Sequence, residues 1–111
     1  LIDCATSPLT IIYSGAIGLP TYLIKDDGSI AIRVVKDGFY GELLRKWGKA
    51  LISTSANKSG SDTPIILSNV SAEILEAVDY TVNLQPTETA TFKSSQIIKL
   101  DIDGKIKIIR Q

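Results

Sequence analysis

Hydrophobic and polar positions along the chain change period several times, and each change marks an element. Leu9 to Tyr13, rich in β-branched and aromatic residues, predicts a strand that Ser14-Gly15 and Gly18-Leu19-Pro20 break off. Pro20 to Leu23 reads as a helical turn, and Asp26-Asp27-Gly28-Ser29 as a tight turn. Ile30 to Val35 predicts a second strand, with Arg33 inside an otherwise apolar run. From Phe39 to Trp47 the apolar residues Phe39, Leu43, Leu44 and Trp47 recur at helical spacing, with Asp37 placed to cap the helix and Gly48 to end it. Ala50 to Ser53 predicts a third strand.

Lys58 to Pro64 has the Ser, Gly, Asp and Pro content of a loop. Ser71 to Val78 predicts a second helix, with Ser71 at its cap and Glu73 in its first turn. Tyr80 to Leu84 alternates like a strand, and the polar, threonine-rich stretch Gln85 to Lys93 predicts a mobile loop. Gln96 to Leu100 and Lys105 to Ile109 then predict a hairpin around Asp101-Ile102-Asp103-Gly104. This order predicts an α+β fold: one twisted, mixed parallel and antiparallel sheet with flanking helices. Trp47 is expected to anchor the core, and Arg45, Lys46 and Lys49 to form a solvated face.

Composition narrows the chemistry. At 111 residues and 44% hydrophobic content, one core and one domain are expected. Twelve basic and twelve acidic residues cancel, which argues against nucleic-acid or membrane binding by bulk charge and leaves a local basic groove open. A lone cysteine, Cys4, allows no intramolecular disulfide and fits a reducing compartment. With no histidine, zinc sites and serine–histidine triads lack their usual groups. No apolar stretch approaches a membrane span, and the start lacks the pattern of a signal peptide. A chain that opens on Leu1 fits a piece of something longer.

The densest candidate chemistry is the stretch "ISTSANKSG", Ile52 to Gly60. Serine, threonine and asparagine can close on nearby backbone as a turn and helix cap. The same groups at the end of a buried strand can instead converge on an oxyanion. Arg33 has two readings as well. It is either an edge-strand arginine reaching for solvent or a guanidinium aimed at a carboxylate or phosphate. Arg110, near the end of the last strand, reads locally as a solvated cation.

Taken in order, these segments resemble the YrdC-like family, the threonylcarbamoyl-AMP synthases of tRNA modification. "PLTIIY" (Pro8 to Tyr13) resembles the family's Pro-x-Thr strand, and "GSIAIRV" (Gly28 to Val34) its Gly-Thr-Val-Ala-Val-Arg-Val strand. "ISTSANKSG" resembles Ser-Thr-Ser-Ala-Asn-x-Ser-Gly, the most specific of the set. "KSSQIIKL" (Lys93 to Leu100) and "KIIR" (Lys107 to Arg110) resemble the family's closing strands. The resemblance implies that residues 1–111 are the C-terminal part of a single domain. The family's N-terminal half, with its Lys-x-Arg pair for the triphosphate, would lie outside them.

It implies a reaction too: threonine, bicarbonate and ATP give threonylcarbamoyl-AMP and pyrophosphate, with no protein nucleophile. Arg33, Ser53 and Ser95 would hold threonine. Ser55 and Asn57 would contact phosphates, Ser29 and Arg110 would hold the nucleotide, and Thr63 is a further ATP candidate. Mg²⁺ would accompany ATP. The partner would be tRNA or the tRNA threonylcarbamoyl transferase, in the cytoplasm and away from membranes. Gln96, Ser94 and Val35 depart from the family pattern. Two other readings stay open: a non-catalytic YrdC-like binder of nucleotide or RNA, and a fragment without activity.

Overall fold

The sheet is built on Leu9–Tyr13 (β1), which pairs on both sides. A computed structural model of the chain describes residues 1–83 and 94–111. Ile30–Arg33 (β2) runs antiparallel to β1, in a register that sets Thr10 opposite Arg33 and Tyr13 opposite Ile30. After β2 comes the helix Gly38–Trp47 (α1), then Ala72–Ala77 (α2). Gln96–Leu100 (β3) pairs parallel with β1, and Ile106–Arg110 (β4) pairs antiparallel with β3, giving the order β2-β1-β3-β4. Short 3₁₀ turns lie at Ile2–Cys4, Thr21–Leu23 and Leu67–Asn69. A mixed sheet with helices is the α+β fold expected from the element order.

The chain divides into two compact units. One comprises 1–50 with 95–111 and contains the whole sheet and α1; the other, 51–94, contains α2. Two expected strands are absent among the described residues. Residues 50–55 and 80–83 have no regular structure, and Leu84, with the expected loop Gln85 to Lys93, lies outside the described residues. A strand exists only by pairing its N–H and C=O groups with another backbone. Leu51, Ile52 and Tyr80 are exposed, and neither stretch has a described partner strand.

Among the described residues the core is small. Ile11, 2% exposed at the centre of β1, is the one buried hydrophobic side chain among the described residues. The extensive contacts are those between neighbouring strands, and α1 makes none comparable with the sheet. Its apolar residues Phe39, Tyr40, Leu43 and Trp47 are all exposed. Trp47, at 53% exposure, is therefore no core anchor; the Lys49 ammonium lies 5.6 Å from its ring centroid instead.

Local chemistry nonetheless fixes how β2 passes into α1. Asp37 occupies the N-cap position in an extended conformation but makes no side-chain capping bond. The carbonyl of Lys36 takes over the junction, accepting a hydrogen bond from Arg45 Nη1 at 2.6 Å. The Lys36 ammonium pairs with Asp3. Gly41 is buried against this same carbonyl, and a Cβ there would collide with Lys36 O. At the other end Gly48 closes the helix with φ +70°, donating its N–H to Leu44 O. A side chain would resist that left-handed conformation.

The turn before β2 is equally specific. The Asp27 carboxylate accepts the Ser29 N–H at 2.9 Å, and Lys25 N–H bonds to Ser29 O. Hydrogen bonding from the Ser29 side chain, and then from its backbone, holds the Asp27 carboxyl below the usual carboxylate value.

Two outcomes follow from these contacts. Alanine favours helices over glycine by roughly 1 kcal/mol, yet Gly41→Ala should destabilise the chain by about 1–3 kcal/mol, because backbone rather than a movable side chain blocks the methyl group. Urea unfolding checks this, and an unchanged or raised midpoint would contradict the close approach. For Asp27, a depressed folded-state pKa means stability that is present above the unfolded value of about 3.9 and lost as pH falls through the folded one. The stability gap between the parent and Asp27→Asn should therefore close as the pH is lowered from about 5 towards 2.

Candidate functional site at one end of the sheet

The register alone assembles a row of side chains across the sheet. Arg33 of β2 faces Thr10 of β1, Thr10 faces Ile97 of β3, and Ile97 faces Arg110 of β4. Register partners project from the same face of a sheet. Between Ile97 and Ile98 the β3–β4 register shifts by one residue, so that Arg110, not Ile109, stands opposite Ile97. A bulge of this kind re-aims one side chain. With strands about 4.8 Å apart, the Arg33 and Arg110 backbones lie about 14 Å from each other.

Ser95 ties the row together. It precedes Ile97 by two positions and so shares the face of Thr10 and Ile97. Its Oγ lies 2.8 Å from Thr10 Oγ1, with either hydroxyl free to donate. Arg110 donates from Nε at 3.0 Å and Nη2 at 2.7 Å to the Ser95 carbonyl, and Nη2 approaches Ser95 Oγ at 3.5 Å. The segment is held in place because Gln96 N–H bonds to Pro8 O at 2.9 Å. The Ser95–Thr10–Arg110 cluster and Arg33 thus lie at the same sheet end, where β1 and β3 begin and β2 and β4 finish. Arg33 is exposed and lines a shallow hollow of about 270 Å³ with Ser7, Pro8, Val35 and Asp37. No described acidic side chain pairs with it.

The other sequence candidates fall elsewhere. Ser29 is 3% exposed at the opposite end of β2 from Arg33, about 13 Å away along the strand, within the Asp27 turn. In the second unit, Ser53 and Ser55 lie on exposed irregular backbone. Asn57 and Thr63 come together there: the Asn57 amide donates to Lys58 O at 2.9 Å and Ser61 O at 3.0 Å, and Thr63 Oγ1 makes a longer contact of 3.4 Å to Asn57 Oδ1. Both Asn57 donors therefore serve the loop. A hollow of about 240 Å³ beside it is lined by Asn57, Ser61, Asp62 and Glu73, with Lys58 paired to Glu73. Thr10 is the residue that sequence reading passed over. Its signal was a lone hydroxyl in an apolar strand, and only the register shows what it faces.

Comparison with known proteins bears on this arrangement. The family profile Sua5_yciO_yrdC, described as "Telomere recombination", matches residues 2–111. The chain belongs to the YrdC-like family. A putative threonylcarbamoyl-AMP synthase of Methanocaldococcus jannaschii is 36% identical over 104 residues, covering 94% of this chain and 46% of that protein. A threonylcarbamoyl-AMP synthase of Pseudoalteromonas translucida is 31% identical over 98 residues, covering 88% of this chain and 51% of that protein. This YrdC-like chain spans about half the length of those curated relatives. No solved structure matches it.

The loop in the second unit carries its own test. Asn57→Asp keeps the acceptor facing Thr63 but removes both amide donors. Losing them should speed amide exchange at Ser61, whose N–H bonds to Lys58 O, by about tenfold. Unaltered exchange at Ser61 would show that Asn57 does not organise this loop.

Proposed function

We propose that residues 1–111 are the C-terminal part of a single YrdC-like domain that works as an L-threonylcarbamoyl-AMP synthase in tRNA N6-threonylcarbamoyladenosine modification. The observation that carries this reading is the register at one end of the sheet, which sets Arg33 opposite Thr10, whose hydroxyl bonds Ser95, while Arg110 bonds the Ser95 carbonyl. Curated relatives bearing the synthase name support it.

In this reading the threonine amine and bicarbonate form a carbamate and water. A carbamate oxygen then attacks the α-phosphorus of ATP, and pyrophosphate leaves. Nothing in these steps requires a protein nucleophile, so catalysis is positioning plus neutralisation of charge. Arg33 offers a planar fork to the amino-acid carboxylate or carbamate, and the Ser95 hydroxyl adds a hydrogen bond. Arg110 holds the Ser95 segment and keeps its remaining N–H groups for nucleotide.

Mg²⁺ would arrive with ATP. Among the described residues no group of three or more His, Cys, Asp or Glu side chains could hold a metal. No helix among the described residues is long and apolar enough to cross a membrane. Independently of that, the resemblance to tRNA-modifying synthases supports a cytoplasmic enzyme whose product would pass to tRNA or the tRNA threonylcarbamoyl transferase.

The test is pyrophosphate release, with ATP, threonine and bicarbonate, by the whole domain of which residues 1–111 would be the C-terminal part; residues 1–111 alone should release none. Release should require all three, and Arg33→Lys should raise KM for threonine about tenfold or more while changing KM for ATP far less. A lysine keeps the charge and loses the two-pronged geometry. Pyrophosphate release independent of threonine, or a lysine variant with unaltered threonine dependence, would overturn the proposal.

A further inference from the structure

Thr10 stands at the middle of the row described above, with Arg33 beside it on one strand and Ser95 bonded to it from another. Ser95 Oγ has three parties to satisfy. Arg110 Nη2 approaches it as a donor at the outer limit of hydrogen bonding, 3.5 Å. Thr10 Oγ1 lies at full hydrogen-bond distance, and either hydroxyl can donate. If Ser95 donates to Thr10, it has no proton left for a ligand, since a hydroxyl carries one. If Thr10 donates to Ser95, the Ser95 proton is free to point away from the sheet.

An anionic oxygen arriving beside Arg33 selects the second arrangement. A carboxylate only accepts, so the stable chain runs from Thr10 O–H to Ser95 Oγ and from Ser95 O–H to the anion. Each bond in such a chain polarises the next. Threonine suits the task better than serine in one respect: its β-branch restricts χ1 on a strand, so the hydroxyl is held at fixed aim. From this geometry we propose that Thr10 is a positioning residue of the amino-acid site, setting the Ser95 hydroxyl to donate to a carboxylate or carbamate oxygen beside Arg33. The proposal rests on the reading of Arg33 and Ser95 as the amino-acid ligands and adds a residue with no direct contact to the substrate.

The experiment is calorimetric titration with L-threonine of the whole domain that contains residues 1–111, run separately from the turnover assay. Thr10→Val, which keeps the shape and removes the hydroxyl, should weaken L-threonine binding about tenfold. Thr10→Ser should restore most of the loss. In a Ser95→Ala background Thr10→Val should add nothing further, whereas a general structural defect would persist. ATP affinity should stay within about twofold throughout. Should Thr10→Val fail to fold, Thr10→Ala under the same titrations takes its place.

Wild-type affinity in the valine or alanine variant, equal losses for L-threonine and ATP, or no rescue by serine would overturn the assignment. So would a parent domain that does not bind L-threonine at all. Binding that depends on the Thr10 hydroxyl in a chain that releases no pyrophosphate would uphold the positioning role and sink the synthase reaction alone.

Discussion

The parallel pairing of β1 with β3 is the constraint on which the rest of the first unit depends. It joins Leu9–Tyr13 to Gln96–Leu100 in one continuous register, across more than eighty intervening residues. Closing so long a loop costs only slowly more than closing a short one, because the entropy grows with the logarithm of length. The cost is met at the centre, where Ile11 is sealed from water. The hairpin partners β2 and β4 then add on either side through near neighbours in sequence. Had the pairing slipped by one residue, every side chain of β3 would have changed face, and Ser95 with it.

The site follows from that pairing more than from any loop. Arg33 and Arg110 are placed by strands that run antiparallel to the central pair, and Ser95 sits just before β3. The bulge opposite Ile97 matters as much as the pairing: it brings Arg110 onto the face where Ser95 can receive it. A single extra residue in the last strand thus decides whether an arginine serves the cluster or the opposite face.

Much of this was legible in the sequence, and the rest failed for identifiable reasons. β1, both helices and the closing hairpin were visible because local pattern determines them: β-branched runs, apolar residues at helical spacing, Gly48, and Asp103-Gly104. The strands expected at Ala50 to Ser53 and Tyr80 to Leu84 were not realised over their described residues, since local pattern cannot supply a pairing partner. Composition counted enough apolar residues for a core but could not place them, and most of the large ones stay exposed. In the candidate site, Arg33, Ser95 and Arg110 were nameable from resemblance. Their relation through Thr10 was not, because a register between residues 10 and 95 leaves no trace in either segment alone.

The outer edge of β4 carries one last consequence. Every residue of this strand is exposed, with Ile106, Ile108 and Ile109 presenting apolar surface beside open backbone. Such an edge invites a second chain to add on, the first step towards fibres. Lys105, Lys107 and Arg110 interrupt the isoleucines at close intervals. Two copies that tried to zip together here would bring like charges face to face along the new seam. Repulsion along this edge opposes such pairing, and Arg110, which bonds the Ser95 carbonyl in the candidate site, contributes to it as well.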